Sequence, residues 1–464
     1  MTGRATKGSP ILLCVALLAA GSAHSQRQLP PPGGPPKAFT LPARKTLTLD
    51  NGLRATLVQY GSVPKLSVVV AVRTGGVDER REEVWLSSLV AQMMKEGTTT
   101  RSAATIAREA ANMGGAVTVD AGLEHVTAGG SVLSEFGGEY IELLADVVCH
   151  PSFPQAELER VKGGMVRELS ISLSQPQSLA RERFLRAMYP DHPCGRLFPQ
   201  AETLQAYTLE QVRAFYGRNL GARRTHVYVV GRFEPAEAER AIRRSFSGWS
   251  EGLHPTLTVP TASSERSILI VDSPGALQST IYMGVPVIDP SHSDYTALAV
   301  TDALLGGSFA SRITLNIREE KGYTYSPTSY LWSSYRSMCW VETADVATEV
   351  TGASIREVFR EIHRLQSEPP TAEELRSIQD YYAGLFVIAN SEPSAIIGQL
   401  QFLDTHGLPD TFLTEFTRGV YDVTPETVRR VAREQIRDEK MLIVIVGDRS
   451  KLRGQLAPFG RISE

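Results

Sequence analysis

Cysteine is scarce in this sequence, with four residues among 464, at positions 14, 149, 194 and 339. Cys14 lies in an N-terminal apolar segment, which leaves an odd and widely spaced set in the rest of the chain. Such a set excludes a disulfide framework, and no two of these cysteines have the C-x-x-C spacing. We interpret the three as mostly buried thiols, and a single bridge among them stays open.

A strong charge of one sign and long apolar runs are also missing. The formal charge is −3, with 48 basic and 51 acidic residues well mixed, so a nucleic-acid-binding face has no electrostatic basis. Beyond the N-terminus no run approaches 18 apolar residues, so we predict no transmembrane helix. A chain of this length, 42% hydrophobic and 21% charged, is typical of a soluble protein with two domains.

The N-terminus has the pattern of a targeting segment. Arg4 and Lys7 precede an apolar run at residues 11–20, and residues 23–25 (AHS) fit a small-x-small cleavage site. This pattern predicts a signal peptide at residues 1–25 and a periplasmic or secreted protein. An uncleaved membrane anchor is the alternative.

The remaining chain divides into a leader and two similar halves. Proline and glycine dominate the start of residues 26–46, which predicts an extended leader, with order beginning near Leu47. Three pairs of segments share one offset of 216 residues: 156–160 with 372–376, 208–213 with 424–429, and 226–231 with 442–447. A shared offset indicates a duplication. We therefore predict homologous domains at residues 47–245 and 266–464, joined by a linker at residues 246–265.

Each half mixes strands and helices without a regular alternation. Residues 66–72 are rich in valine and predict a strand, whereas residues 102–113 and 157–172 predict helices. This order favours an α+β fold in which helices pack on a mainly antiparallel sheet.

Two segments of the first half resemble the pitrilysin/insulinase (M16) family of zinc peptidases: residues 75–79 (GGVDE) and residues 85–98 (WLSSLVAQMMKEGT). In that family a G-x-x-D-E segment precedes a helix with the motif H-x-x-E-H. Histidines four residues apart lie on one helical face and bind zinc, and the glutamate acts as general base. Here Ser88, Ala91 and Gln92 occupy the three positions, so the resemblance implies that the zinc-binding motif has been lost.

The family's third zinc ligand is a glutamate on a later helix, which residues 159–169 (ERVKGGMVREL) resemble. At the family's spacing this glutamate corresponds to Glu168. Alternatively, Glu168 is an ordinary helix residue that is solvated or ion-paired. One carboxylate does not hold zinc alone, so we expect no metal or other cofactor in this chain.

The second half resembles another part of the family, through residues 306–312 (GGSFASR) and 317–325 (IREEKGYTY). The resemblance implies that Arg318 and Tyr325 face a zinc site from the opposite half, hold the substrate backbone and stabilise the oxyanion. Both side chains donate hydrogen bonds, which suits a site where negative charge develops. Tyr323 competes with Tyr325 for this role, and a surface arginine beside a packed tyrosine is the structural alternative.

Together these resemblances imply an M16/LuxS-like metallohydrolase fold and a pseudoenzyme of the M16B type. We expect a non-catalytic, substrate-binding subunit that forms a heterodimer with a zinc-containing M16 subunit carrying H-x-x-E-H and acting on peptides. Two alternatives stay open. One is a catalytically inert binding or scaffold protein of the family, and the other is a metallopeptidase with an unrecognised metal site.

Overall fold

The computed structural model of the chain describes Gly3 and residues 39–463. The predicted signal peptide lies outside the described residues apart from Gly3, as do residues 26–38 of the predicted leader. Among the described residues no helix has the length and apolar character needed to cross a membrane.

The first half contains a six-stranded sheet. Its strands are β1 (Arg44–Thr48), β2 (Arg54–Gln59), β3 (Lys65–Val72), β4 (Thr118–Ala121), β5 (Val126–Leu133) and β6 (Thr225–Gly231). They lie in the order β1-β2-β6-β3-β5-β4, and only the β2–β6 pair is parallel. Strand β6 is buried along its whole length, and its hydrophobic run at residues 227–230 (VYVV) suits a strand covered on both faces.

Eight helices belong to this half: α1 (Leu86–Met94), α2 (Ala103–Asn112), α3 (Gly137–Cys149), α4 (Gln155–Leu173), α5 (Pro176–Met188), α6 (Ala201–Ala206), α7 (Leu209–Asn219) and α8 (Pro235–Phe246). Two of them show why the sequence starts a helix where it does. Ser102 accepts a hydrogen bond from the Thr105 amide at the start of α2, and Thr208 forms a capping box with Gln211 at the start of α7.

The second half repeats the arrangement. Its strands are β7 (Ser267–Asp272), β8 (Gln278–Val287), β9 (Thr328–Ser334), β10 (Ser337–Ala347), β11 (Leu442–Gly447) and β12 (Ile462–Ser463), in the order β12-β7-β11-β8-β10-β9. The pairs β11–β8, β8–β10 and β10–β9 are antiparallel, whereas β7 is parallel to both of its neighbours, β11 and β12. Both sheets carry helices, which confirms the predicted α+β class with mainly antiparallel sheets.

The helices of this half are α9 (Tyr295–Asp302), α10 (Arg312–Thr314), α11 (Thr351–Ser367), α12 (Ala372–Ala389), α13 (Pro393–His406), α14 (Thr411–Thr414), α15 (Phe416–Asp422), α16 (Pro425–Gln435) and α17 (Arg449–Leu456). Two π-helical turns, residues 303–307 and 315–320, flank the segment that contains α10. Such turns are rare in proteins as a whole, but those that occur often lie at functional sites.

Each half covers the sheet of the other half with one helix. Helix α5 packs on β8 and β11, where the ring of Phe184 lies 4.9 Å from that of Tyr282. Helix α13 packs on β3 and β6, and its Ile396 and Leu400 join a buried cluster with Val230. Full burial of such a side chain contributes about 1.5–3 kcal/mol, so the exchanged helices stabilise the association of the halves.

A polar contact accompanies this exchange. Asp404 of α13 lies 3.0 Å from Nδ1 of His226 on β6 and accepts a hydrogen bond from the Tyr228 hydroxyl. Burial raises the pKa of Asp404, but these two partners outweigh it and hold the pKa below its ordinary value. The Thr56 hydroxyl lies 2.8 Å from the other ring nitrogen of His226, so the imidazole is held between the two halves.

The structure differs from the sequence prediction at two boundaries. Strand β1 begins at Arg44, inside the predicted leader, because Phe39 and Leu41 pack against the core and order the chain before Leu47. Phe246, the first residue of the predicted linker, is the buried last residue of α8. The domain limits as a whole stay predictions.

The three cysteines of the described residues are free thiols. Cys194 and Cys339 are buried and Cys149 is half-buried. Burial is the main cause that raises the pKa of Cys339 to about 12, which agrees with inert structural thiols.

Candidate functional site

Helix α1 carries the three positions at which the family has its zinc motif. Ser88 and Gln92 are half-buried and lie one turn apart on the same face, whereas Ala91 is only 1% exposed. The rest of the helix is anchored by buried Leu86, Leu89, Val90, Met93 and Met94. A hydroxyl, a methyl and an amide do not make a zinc site, so the donor set on this helix does not fit the metal.

The helix frame is held by a carboxylate whose role the sequence did not reveal. Glu79 accepts hydrogen bonds from the amides of Trp85 (3.1 Å) and Ser87 (2.8 Å) and from the Ser87 hydroxyl (2.6 Å). Burial raises the pKa of Glu79, and these hydrogen bonds oppose the rise. The preceding residue of the motif, Asp78, pairs with buried Arg224 at 3.0 Å. Both acidic residues of the G-x-x-D-E segment therefore have structural roles here.

Trp85 stands at the start of α1. It precedes the first turn in the left-handed conformation, with φ 69° and ψ 10°. A bulky residue in this region is strained. Its indole donates to the carbonyl of Leu197 at 2.9 Å, and its ring meets Phe198 edge-on. These contacts fix the side chain beside the helix.

Glu168 lies on α4, which packs against α1. Its side chain is exposed and makes no hydrogen bond or ion pair with the described residues. Within residues 39–463 no group of three or more His, Cys, Asp and Glu side chains is placed to hold a metal ion. Of the four positions that correspond to the family's zinc site, only Glu168 carries a side chain of a type that binds zinc there.

The structure brings Arg318 and Tyr325 together. The guanidinium of Arg318, on the second π-helical turn, lies 5.0 Å from the ring centroid of Tyr325 and 4.4 Å from that of Phe309. Both rings are largely exposed, at 82% and 64%. The same guanidinium pairs with its neighbour Glu319 at 3.1 Å. Tyr323 is half-buried.

Phe309 was missed by sequence reasoning, although it lies within the GGSFASR segment. The sequence could have pointed to Phe309, because an aromatic residue in a glycine-rich turn is not expected to belong to the core. A cation between two aromatic faces is attracted to both, by about 0.5–1 kcal/mol each at exposed sites. The two rings therefore limit the orientations of the Arg318 side chain.

One ion pair and two hydrogen bonds hold the segment that bears Arg318. Arg312 makes a bidentate pair with Glu374 of α12, at 2.7 and 2.9 Å. Asn316 donates to Glu361 (2.7 Å) and Glu357 (3.0 Å) of α11. These contacts tie the segment that bears the half-buried Arg318 to two helices of the second half.

Two carboxylates lie fully buried beneath the same segment, and the sequence analysis did not single them out. Asp302 accepts hydrogen bonds from Ser329 (2.5 Å) and the Trp340 indole (2.8 Å), whereas both carboxylate oxygens of Glu342 lack a partner among residues 39–463. Burial raises the pKa of Asp302 to about 6, and burial beside Asp302 raises that of Glu342 well above its ordinary value.

The first glycine of the GGSFASR segment is required by this arrangement. A Cβ at Gly306 would lie 2.6 Å from the Ser329 hydroxyl and 2.7 Å from Oε2 of Glu342. No side chain fits there, so the glycine allows the turn to approach the buried carboxylates. The sequence could have pointed to Glu342, because it is the lone glutamate within an apolar strand.

A cleft of about 310 Å³ opens beside the degenerate zinc helix. Trp85 and Ser88 line it from the first half, and Trp332 lines it from β9 of the second half. Arg181 and Arg196 add two guanidinium groups, of which Arg196 donates to the carbonyl of Glu79 at 3.2 Å. The cleft has the size and mixed lining of a ligand site.

Comparison with known proteins places the chain in one family. The profile described as Insulinase (Peptidase family M16) matches residues 56–199, and that described as Peptidase M16 inactive domain matches residues 206–382. The chain is 24% identical over 409 residues to the uncharacterized zinc protease YmxG of Bacillus subtilis, covering 86% of this chain and 98% of that protein. An uncharacterized zinc protease of Rickettsia felis is also 24% identical, covering 71% and 80% of the two chains.

Solved structures show the same fold. A peptidase M16 inactive domain from Pseudomonas fluorescens superposes with a TM-score of 0.81 at 22% identity, over 87% of this chain and 98% of that one. A protease from Helicobacter pylori gives the same TM-score at 17% identity, over 88% and 100%. Since both sequence profiles and both folds agree, the chain belongs to peptidase family M16.

Proposed function

We propose that this chain is the non-catalytic, substrate-binding subunit of a heterodimeric M16B zinc peptidase that acts on peptides. The observation that carries the proposal is the contrast between the two motifs. Arg318 and Tyr325 stand together on an exposed, rigidly supported surface, whereas Ser88, Ala91 and Gln92 offer no zinc-binding set. The zinc would then belong to a partner subunit that carries H-x-x-E-H.

The chemistry of the pair supports a role in trans. The guanidinium of Arg318 and the phenol of Tyr325 are donors able to hydrogen-bond a substrate carbonyl as negative charge develops on its oxygen. When bound in the partner, zinc would supply an activated water. This chain would bind the substrate backbone and orient the scissile carbonyl. The N-terminal sequence suggests that the complex assembles in the periplasm or outside the cell.

One observation favours the alternative of a binding protein without a peptidase partner. Arg318 already pairs with Glu319 and lies between two rings, so its contacts are partly satisfied within the chain. In a pure scaffold this cluster would serve only to bind a neighbour. In the peptidase, Arg318 must give up its ion pair with Glu319 in order to bind the substrate.

Isolation of the chain from its own host, followed by native mass spectrometry, tests the proposal. The expected result is a complex with a zinc-containing M16 chain of similar length, and this complex should cleave a fluorogenic peptide. A complex without zinc or peptidase activity would support the scaffold alternative. A lone monomer in the host would contradict the proposal.

A further inference from the structure

Two clefts of the described structure meet at one residue of helix α5. Arg181 lines the cleft beside the degenerate zinc helix and also lines a second cleft of about 300 Å³. The first cleft begins at Ser88, and the second reaches Ser326, the neighbour of Tyr325 in sequence. Arg181 therefore borders both clefts, one beside Ser88 and one beside Ser326, and the two clefts together are called the trough.

The other charged groups of this trough already have partners. Glu79 is held by Ser87 and Trp85, as described above. Asp345 accepts hydrogen bonds from Thr280 (2.5 Å) and from Gln177 of α5 (2.8 Å).

Arg181 differs from these groups. It is exposed and makes no hydrogen bond or ion pair with the described residues. Arg196, the remaining cation, donates to a backbone carbonyl, and its Nη1 is buried without access to solvent. Arg181 is thus the lining cation that is free to take a ligand.

We propose that Arg181 binds a carboxylate of a peptide lying along this trough. Guanidinium and carboxylate form two parallel hydrogen bonds, about twice as strong as those between neutral groups. Aromatic and hydroxyl side chains line the rest of the path, among them Tyr282, Tyr330 and Trp332, and these suit an extended backbone with mixed side chains. The inference rests on the proposed substrate-binding function and specifies its substrate class.

Two sources could supply the carboxylate: the C-terminus of the peptide or an acidic side chain. Four labelled peptides of one length, in two matched pairs, separate them. The first has a free C-terminus and no acidic residue, and the second is its C-terminal amide. The third and fourth are amides with one internal Asp or with Asn at the same place. Fluorescence anisotropy at low ionic strength gives a Kd for each on the mature chain.

We expect one carboxylate-bearing peptide to bind about tenfold more tightly than its neutral counterpart, the size of effect of one charge-assisted hydrogen bond. Arg181→Gln should abolish this preference, and Arg181→Lys should retain part of it. Arg186→Gln is the matched control. It removes the same charge from the same helix, but Arg186 pairs with Glu182 (3.0 Å) and lines neither cleft.

The outcomes distinguish this inference from the proposed function. Equal affinity for all four peptides, in the native chain and in Arg181→Gln, would overturn the role of Arg181 and leave peptide binding intact. An equal loss in both arginine variants would assign the effect to general charge and also overturn it. If no peptide binds to the folded native chain, the substrate-binding function fails together with the inference.

Discussion

The guanidinium of Arg318 lies 5.0 Å from the ring centroid of Tyr325, although the ring itself is 82% exposed. Exposed side chains seldom keep fixed positions without a reason, because ordering them costs conformational entropy. Here Phe309 supports the arginine from its other side, at 4.4 Å. The result is a preformed donor pair on the surface, available to a second chain.

Removing one donor of the pair should slow the heterodimer without unfolding either chain. We expect Arg318→Ala and Tyr325→Phe each to lower kcat by about 10²–10³, the usual loss for one oxyanion donor. Tyr325→Phe keeps the ring beside Arg318 and removes only the hydroxyl. Steady-state kinetics of the purified complex, with its zinc content, measures the effect. Tyr323→Phe is the control, and wild-type rates in both variants would remove the catalytic role of the pair.

The isolated chain should hold no stoichiometric zinc and cleave no peptide. The physical reason is the donor set on α1, where Ser88 and Gln92 cannot replace two imidazoles. Elemental analysis of the chain after dialysis against a weak chelator measures the metal. About one tightly held zinc per chain would contradict this prediction and support an unrecognised metal site.

Rebuilding the motif should restore zinc more readily than activity. Ser88→His and Gln92→His change half-buried positions, but Ala91→Glu introduces a carboxylate at a position only 1% exposed. Without zinc, the triple variant should therefore be less stable than the double variant by about 1–3 kcal/mol. Urea unfolding measures this difference.

In the presence of zinc we expect near-stoichiometric binding by the triple variant, with weak or absent cleavage. Catalysis also needs partners that orient each imidazole, and nothing has kept them in place. Elemental analysis and a fluorogenic peptide assay on one preparation measure both. A folded triple variant without zinc would show that the alignment of Ser88, Gln92 and Glu168 is wrong.

The buried carboxylates should make stability depend on pH. The pKa of Asp302 rises from 3.8 to about 6 on folding, and that of Glu342 rises further from its ordinary value. The folded chain then binds more protons than the unfolded chain, so this contribution is full at low pH. The free energy of unfolding should fall as the pH rises from about 4 through 6 and above.

Glu342→Gln should make this decline shallower and raise the Tm at pH 7, because it removes a buried acid whose ionisation beside Asp302 is unfavourable. The gain in Tm should shrink as the pH falls towards 4. Thermal unfolding at several pH values measures it. The control is Glu373→Gln, an exposed change that should have no effect. If Glu342→Gln lowers the Tm equally at all pH values, the predicted electrostatic coupling between Asp302 and Glu342 is wrong.

Much of the fold could be predicted because its signals are local. Helices α2 and α4 were predicted within two residues of their ends, since apolar spacing and capping residues act over a few positions. The duplication was visible because both halves keep a similar helix start, capped by Thr208 or Thr424, before a closing strand. Strand β1 and Phe246 were misassigned because their order depends on contacts with distant core residues rather than on neighbours.

For the candidate site, the sequence by itself determined which donors exist. It has no H-x-x-E-H motif, it keeps the Arg318 and Tyr325 segment, and no folding can supply a missing imidazole. Only the tertiary structure decided which side chains meet. The exchange of α5 and α13 and the burial of Asp302 beside Glu342 join residues far apart in sequence. Such contacts follow from how the layers pack against each other, which no local pattern encodes.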